Sequence, residues 1–330
     1  MTIYELTKAF INIPSITGHE GEIADFVSSY LKSQDFDLKE QIIEERRRNI
    51  LATAGSKPRI ILCTHMDTVP QYFAASEDEY YIYGRGACDA KGIMASMIWA
   101  AQELKKDGLT EIGLLFVVGE ETDSIGAKMA NSLRVGSRFI IVGEPTENKL
   151  GIGHKGLLTL KVIAKGKAAH SACPELGESA IEKLLDALQR IRLLDFGKDP
   201  VMGKSVLNVG TIKGGVAANV VANHASAEVS IRSALPIKHV LRKVKAVVNR
   251  KVLIEVLMQS EAQRLFTVPG IEQIVLPFGT DIPHLKSFGK PLLLGPGSFL
   301  LAHTEREKIE KRQLSEAVEI YENLVRKLLK

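Results

Sequence analysis

Acidic and imidazole side chains follow three short apolar runs of this sequence, at the point where each run ends. They belong to His65, Asp67, Glu120, Glu121 and Glu144. Each of them alone is more often a structural or solvated residue than a functional one, but here the same placement recurs after every run. Zinc and similar divalent ions accept imidazole and carboxylate ligands, and this set contains no thiolate of a structural zinc site. The pattern therefore predicts a catalytic metal site.

Two further segments bring an aspartate and a histidine. Asp89 lies in the stretch GRGACDAKG, residues 84–92, which predicts a tight turn before a helix. The alternative role of Asp89 is the N-cap of that helix, because Asp is a favoured cap. His303 follows the Gly-Pro-Gly of residues 295–297. Its alternative position is a helix N-terminus, where the helix dipole disfavours a cation.

Two histidines and three carboxylates suit a pair of divalent ions about 3.5–4 Å apart that share one bridging carboxylate. Such ions polarise a scissile carbonyl and acidify a water molecule, and a nearby carboxylate moves the proton of that water to the leaving amine. Glu120 and Asp67 are the surplus acids for this work. The expected cofactors are two divalent ions, with zinc as the first choice and cobalt or manganese as alternatives.

Buried strands alternate with helices in the first and last parts of the chain. The predicted strands cover residues 60–63, 114–118, 139–142 and 291–294, and the predicted helices cover residues 23–31, 93–105 and 305–329. Alternating elements of this kind predict an α/β fold with an open, mostly parallel sheet whose faces are covered. The functional crevice of such a sheet lies at the carboxyl ends of its strands, where the candidate ligands stand.

The middle of the chain has a different pattern. Predicted strands cover residues 157–164, 206–212, 225–232 and 252–258, and predicted helices cover residues 179–194 and 237–250. Their order is β-α-β-β-α-β, which is the ferredoxin-like α+β arrangement. We therefore expect a discontinuous metal-binding catalytic domain over residues 1–155 and 259–330, with an inserted domain over residues 156–258.

Composition excludes several classes of protein. The chain has 330 residues, 45% of them apolar and 25% charged, and a formal net charge of +4, which indicates no nucleic-acid partner. No apolar stretch reaches the ~18 residues of a membrane span, and the N-terminus has no pattern of a secretory signal. The few cysteines lack CxxC spacing, so we expect a cytoplasmic protein. The basic run at 46–48 predicts a solvated surface loop.

Short motifs in a fixed order give the chain a resemblance to a known family. The motifs are His65-Met66-Asp67, residues 84–92, Gly119-Glu120-Glu121, Gly143-Glu144-Pro145-Thr146, Gly279-Thr280-Asp281, Gly295-Pro296-Gly297 and His303-Thr304. The chain resembles the family of aminoacylases, acetylornithine deacetylases and succinyl-diaminopimelate desuccinylases, which also contains carboxypeptidases and dipeptidases. The match covers nearly the whole chain.

The resemblance implies roles for the candidate residues. One ion would be held by His65, Asp89 and Glu144, and the other by Glu121, His303 and the same, bridging Asp89. Glu120 would be the general base, and Asp67 would orient the ring of His65.

In the inserted domain, which would serve as lid and dimerisation domain, His170 matches a histidine that stabilises the tetrahedral oxyanion. Arg232, Asn219 and Gly297 match substrate-binding segments. A plain loop residue is the alternative for His170, and a structural salt bridge is the alternative for Arg232.

The implied activity is that of a zinc-dependent amidohydrolase, which removes the acyl group of a small N-acyl amino acid by a metal-bound water with Glu120 as base. The expected substrate is N-acetylornithine or a related acetylated basic amino acid, in arginine or lysine biosynthesis. The alternatives are a succinyl-diaminopimelate desuccinylase, a carboxypeptidase or a dipeptidase, and a non-catalytic binding protein is the remote one. A homodimer formed through the inserted domain is also expected.

Overall fold

The structure is a computed structural model, and it describes residues 1–55, 57–249 and 251–330. The chain forms two compact units. The first contains Met1–Ile152, Leu265–Ile274 and Thr280–Lys330, and the second contains Gly153–Arg264 and Val275–Gly279. The domain limits expected from the sequence, at 155/156 and 258/259, remain a proposal.

The described residues form α-helices and short 3-10 turns along the whole chain. The α-helices are α1 (Ile3–Ile11), α2 (Gly21–Ser33), α3 (Lys91–Lys106), α4 (Ile125–Ala130), α5 (Ala180–Arg192), α6 (Ile237–Val247) and α7 (Lys311–Leu329). The 3-10 turns are Asn131–Leu133, Pro174–Leu176, Ile282–His284 and Lys286–Phe288. The last residue of the helix predicted over 237–250 lies outside the described residues. None of the described helices has both the length and the apolar character that a membrane span requires.

Strands alternate with these helices. They are β1 (Asp37–Glu44), β2 (Arg47–Thr53), β3 (Ile60–His65), β4 (Ser76–Glu77), β5 (Tyr81–Tyr83), β6 (Ile112–Val117), β7 (Phe139–Val142), β8 (Leu150–His154), β9 (Gly156–Lys165), β10 (Lys198–Asp199), β11 (Gly203–Lys204), β12 (Val206–Gly214), β13 (His224–Ser233), β14 (Val252–Ser260), β15 (Gln263–Arg264), β16 (Gln273–Leu276), β17 (Lys290–Leu293) and β18 (Lys308–Glu310).

The first unit is built on a sheet in the order β1-β2-β6-β3-β7-β17. Strands β6, β3, β7 and β17 are parallel, whereas β1 and β2 pair antiparallel at one edge. Every residue of β3, β6 and β7 is buried, which is why their sequences are continuous apolar runs. Helices α1, α2, α3 and α7 contribute to the same hydrophobic core. The predicted open, mostly parallel α/β sheet is confirmed.

The basic run at 46–48 is the solvated loop expected from the sequence only at Arg46, which is exposed in a turn. Arg47 and Arg48 begin strand β2. The guanidinium of Arg47 donates two hydrogen bonds, of 2.8 and 2.9 Å, to the buried carboxylate of Glu20, and Arg48 pairs with Asp25. A run of positive charges alone predicts a solvated segment, because the sequence does not show which acids will pair with it. Here the pairing acids are Asp25 in α2 and Glu20 at the N-terminus of α2.

The end of the chain also differs from its prediction. The closing helix begins at Lys311, not near Glu305, because the segment before it forms turns and the short strand β18. Strand β18 pairs antiparallel with β5. His303 therefore lies in a turn that precedes this strand, away from the N-terminus of any described helix.

The second unit carries the predicted β-α-β-β-α-β order as β9, α5, β12, β13, α6 and β14. Its sheet has the order β12-β13-β9-β14, with every neighbouring pair antiparallel. Alternate residues of β9 and β13 are buried, and together with the apolar faces of α5 and α6 they form a separate core. This is the ferredoxin-like arrangement expected from the sequence.

Candidate metal centre

His65 is the last residue of β3, and its ring is buried. Its Nδ1 lies 2.9 Å from the backbone carbonyl oxygen of Asp67, and its Nε2 lies 3.0 Å from Oδ1 of Asp89. When Nδ1 donates its proton to that carbonyl, the neutral ring presents the lone pair of Nε2 toward Asp89. Burial favours the neutral ring, but hydrogen bonds with Asp67 and Asp89 outweigh it and raise the pKa of His65 well above its usual value.

Asp89 shares its carboxylate between two histidines. Its Oδ1 lies 3.0 Å from Nε2 of His65, and its Oδ2 lies 3.3 Å from Nε2 of His303. Burial favours the protonated acid, but the two imidazoles outweigh it and hold the pKa of Asp89 below its usual range. The N-cap alternative is wrong, because α3 begins at Lys91 with Ala90 as its cap and no side-chain capping bond. The Asp89–Ala90 peptide bond is cis.

Glu121 and His303 lie together beside Asp89. Oε1 of Glu121 is 3.0 Å from Nε2 of His303, and these contacts with Asp89 and Glu121 raise the pKa of His303 to about 10. His303 adopts a φ of 63° and is half exposed. One ligand atom each from His65, Asp89 and Glu121 lies within 4.8 Å of the other two.

Further acids surround this cluster. Burial raises the pKa of Glu120 and of Glu144, which follows β7, well above the usual value for a glutamate, and neighbouring carboxylates add to the effect. Asp281, to which the sequence motif assigned no role, is buried as well, and neither of its carboxylate oxygens has a hydrogen-bond partner of good geometry among the described residues. Burial raises its pKa to about 6, although the Ser124 hydroxyl and the His65 ring oppose the shift.

The carboxylate of Asp67 holds the backbone that carries the two adjacent glutamates. Its Oδ1 accepts the N–H of Glu120 and its Oδ2 accepts the N–H of Glu121, both at 3.1 Å. The hydroxyl of Thr17 donates a third bond, of 2.8 Å, to Oδ2. The carboxylate lies 3.6 Å from Nδ1 of His65, which is nearer to the backbone carbonyl of Asp67. The role of Asp67 in orienting the ring stays a proposal, and its contact with the glutamate loop is an addition from the structure.

Glu307 is a residue that the sequence reasoning missed. Its buried carboxylate accepts the backbone N–H groups of Cys88 and Asp89 at 3.2 and 3.1 Å and pairs with Arg85 at 2.6 Å. The charged residues on either side of Glu307 gave it the appearance of a surface residue. The available signal was its position four residues after His303, just before the buried Ile309.

The remaining candidates lie in two places. Gly297, with a φ of 89°, packs against the loop of Asp89 so closely that a Cβ atom would lie 2.6 Å from Cβ of Cys88. In the second unit, the segments of His170 and Asn219 run side by side, because Ser171 donates its N–H to the carbonyl of Asn219 at 3.0 Å. Arg232 lies on β13, opposite Val206 of β12. Their roles toward a substrate remain proposals.

The donor set fits divalent ions. The ligand atoms are imidazole nitrogens and carboxylate oxygens, which zinc and similar ions accept. Buried carboxylates outnumber the imidazoles beside them, and besides burial their mutual repulsion raises the pKa of Glu120 and Glu144. Cations would balance this charge. Asp89, with one oxygen toward each histidine, has the arrangement of a bridging ligand.

Comparison with known proteins identifies the family. The model of Peptidase family M20/M25/M40 matches residues 61–327, which include every candidate metal ligand. The chain belongs to this family. It is therefore a metal-dependent hydrolase of the M20 peptidase type. The family is the one to which the sequence motifs pointed in general, but its aminoacylase and deacetylase branch finds no confirmation.

Relatives of the M20 family resemble the chain over nearly its full length. A Peptidase M20 domain-containing protein of Schizosaccharomyces pombe is 39% identical over 98% of this chain and 84% of its own length. A protein of Aspergillus flavus named "Probable carboxypeptidase" is 35% identical over 96% of this chain and 88% of its own length. Neither name supports an acetylornithine substrate or a place in arginine or lysine biosynthesis.

Solved structures of peptidases share the fold. A tripeptidase of Staphylococcus aureus superposes with a TM-score of 0.82, at 24% identity and with 98% of both chains covered. An M20 family metallo-carboxypeptidase of Sulfolobus solfataricus superposes with a TM-score of 0.78, at 15% identity and with 98% of both chains covered. The α/β architecture of this chain is therefore that of M20 peptidases.

Proposed function

We propose that the protein is a two-metal carboxypeptidase-type amidohydrolase, which cleaves the amide bond preceding a C-terminal amino acid. The observation that carries this proposal is the division of the Asp89 carboxylate between His65 and His303, since a bridging carboxylate is what a two-ion site needs. The carboxypeptidase names of relatives at 35% identity favour a substrate with a free C-terminal carboxylate.

An N-acyl amino acid, the substrate expected from the sequence, is the smallest molecule on which this reaction can take place. In an N-acyl amino acid, as at the C-terminus of a peptide, an amide joins an acyl group to an amino acid with a free carboxylate. N-acetylornithine and N-succinyl-diaminopimelate therefore remain narrower alternatives, together with dipeptides.

Two ions bound at this centre would polarise the scissile carbonyl and acidify a water molecule. Zinc is the first choice, with cobalt or manganese as alternatives. Glu120 takes the proton of the attacking water and delivers it to the leaving amine, because one carboxylate can act first as a general base and then as a general acid. Asp67 fixes the backbone of Glu120 and Glu121. The resemblance to the family assigns oxyanion stabilisation to His170 and substrate contacts to Arg232, Asn219 and Gly297.

Replacement of the base tests the mechanism. The variant Glu120→Gln should keep its metal content and unfolding temperature and lose roughly 10²–10⁴-fold in kcat, because it removes proton transfer alone. The control is Glu79→Gln, an exposed glutamate in the same unit. If Glu120→Gln turns over substrate as fast as the wild type, this mechanism is wrong.

Three matched tripeptides test the substrate class. One has both ends free, one is N-acetylated and one is C-amidated. A carboxypeptidase-type enzyme should cleave the first two and leave the amidated peptide intact. Cleavage of the amidated peptide without cleavage of the acetylated one would instead indicate recognition of a free amine. N-acetyl and N-succinyl amino acids, assayed alongside, rank the narrower alternatives.

We also propose a cytoplasmic homodimer that associates through the inserted domain. Support comes from the edge strand β12, where the apolar side chains of Val206 and Ile212 are each 56% exposed. An unpaired strand edge with apolar side chains is a ready surface for association. Light scattering on the purified protein measures the mass, and a monomer at assay concentration would contradict the proposal.

A further inference from the structure

The buried carboxylate of Glu307 accepts hydrogen bonds from three residues of the loop that precedes α3. Its Oε1 accepts the N–H groups of Cys88 and Asp89 at 3.2 and 3.1 Å, and its Oε2 accepts Nη1 of Arg85 at 2.6 Å. Both Glu307 and Arg85 are almost fully buried, at 1% and 2% side-chain exposure. Bonds between a carboxylate and backbone N–H groups or a guanidinium are charge-assisted and therefore stronger than bonds between neutral groups.

These bonds join two parts of the chain that are remote in sequence. The loop of Arg85, Cys88 and Asp89 precedes α3, whereas Glu307 lies more than 200 residues later, between the turn of His303 and strand β18. Asp89 and His303 are themselves in contact, at 3.3 Å. Glu307 thus links the loop of Asp89, the candidate bridging ligand, to the segment of His303 through hydrogen bonds.

We propose that Glu307 is a positioning residue that sets Asp89 so that its carboxylate reaches both ions. The inference rests on the two-metal site proposed above. Glu307 acts through the backbone: its bonds to two successive N–H groups fix the position and direction of the peptide from which the Asp89 side chain extends. Outer residues of this kind tune metal affinity about 10–100-fold in other metal sites.

The variant Glu307→Gln separates this role from ligation. Its amide has one oxygen, so either the two N–H groups or Arg85 must face the –NH2 group, donor against donor. We expect binding of at least one ion to weaken 10–100-fold, kcat to fall with KM little changed, and the visible spectrum of the Co²⁺-loaded protein to change.

The experiment titrates metal-free, full-length protein with Co²⁺ by calorimetry and records its visible spectrum. Glu305→Gln is the matched control, because Glu305 is an exposed glutamate in the same segment. Glu307→Asp keeps the charge beside Arg85 but shortens the reach by one methylene, so it tests the same geometry if Glu307→Gln fails to fold.

A purely structural role would lower the unfolding temperature and leave the affinities and the Co²⁺ spectrum of the folded protein as in the wild type. That result, in either variant, overturns the proposal. If the wild type itself binds fewer than two Co²⁺ ions, the two-metal function fails instead, so the two failures are distinguishable.

Discussion

Replacing the buried Asp281 by asparagine should stabilise the metal-free protein. Asp281 is 2% exposed, and neither carboxylate oxygen has a hydrogen-bond partner of good geometry among the described residues. Burial raises its pKa from 3.8 to about 6, against the opposing influence of Ser124 and His65. The folded protein therefore disfavours the ionised form of this side chain, and asparagine is its neutral counterpart of the same shape.

The size and sign of the effect follow from the pKa shift of Asp281. A shift from 3.8 to about 6 is worth about 3 kcal/mol. Because the folded-state pKa is raised, this cost is absent below pH 3.8, grows as the pH rises to 6 and is complete above it. A buried asparagine amide that lacks full hydrogen bonding costs about 1–2 kcal/mol, which offsets part of the gain in stability. The net gain at pH 8 is about 1.5 kcal/mol, or about 3–6 °C in Tm for a domain of this size.

The assay is thermal unfolding of metal-free wild type and Asp281→Asn at pH 8 and pH 5. We expect a higher Tm for the variant at pH 8 and almost no difference at pH 5, where only about half of the cost remains. The exposed Asp35→Asn is the control. With Co²⁺ bound, the gain in Tm should shrink or reverse, because the variant lacks the negative charge that Asp281 would hold near the cations. A variant that is less stable than the wild type at pH 8 refutes the reasoning.

Two more expectations concern stability. Burial lowers the pKa of His154 from 6.5 to about 4, so the metal-free protein should lose about 3 kcal/mol of stability as the pH falls through that range, and His154→Asn should abolish the loss. Urea unfolding at pH 7 and pH 4.5 measures it, and an identical pH dependence in both proteins would contradict it. Gly297→Ala should cost about 1–3 kcal/mol more than Gly270→Ala, because both glycines have a φ near 90° but only at Gly297 would the new Cβ clash with Cys88. Equal unfolding temperatures for the two variants would count against this account.

The sequence was sufficient where local pattern decides structure. Continuous apolar runs predicted β3, β6 and β7, because strands buried on both faces need apolar residues throughout. Parallel strands end at one edge of the sheet, so their following residues, such as His65 and Glu144, were expected near one another. The charges of His65 and Asp89 both act on the pKa of Glu144, which agrees with that expectation.

The sequence was insufficient where burial depends on remote partners. Glu307 stands in a run of alternating charges, and only the fold brings Arg85 and two backbone N–H groups to it. The same holds for Arg47, whose partner Glu20 lies 27 residues earlier. Asp281 was part of a motif, but a lone aspartate in a sequence carries no sign of being buried. Charge patterns predict solvation on average and fail where a long-range pair forms.

The uneven exposure of the candidate ligands has a kinetic consequence. His65 is 1% exposed and Glu144 is 4% exposed, whereas the side chain of His303 is 50% exposed. An ion held by His303 would have this one exposed ligand beside the largely buried Asp89 and Glu121, whereas an ion held by His65 and Glu144 would have buried ligands only. The two ions would then have different residence times, and the protein would release one quickly to a chelator and retain the other.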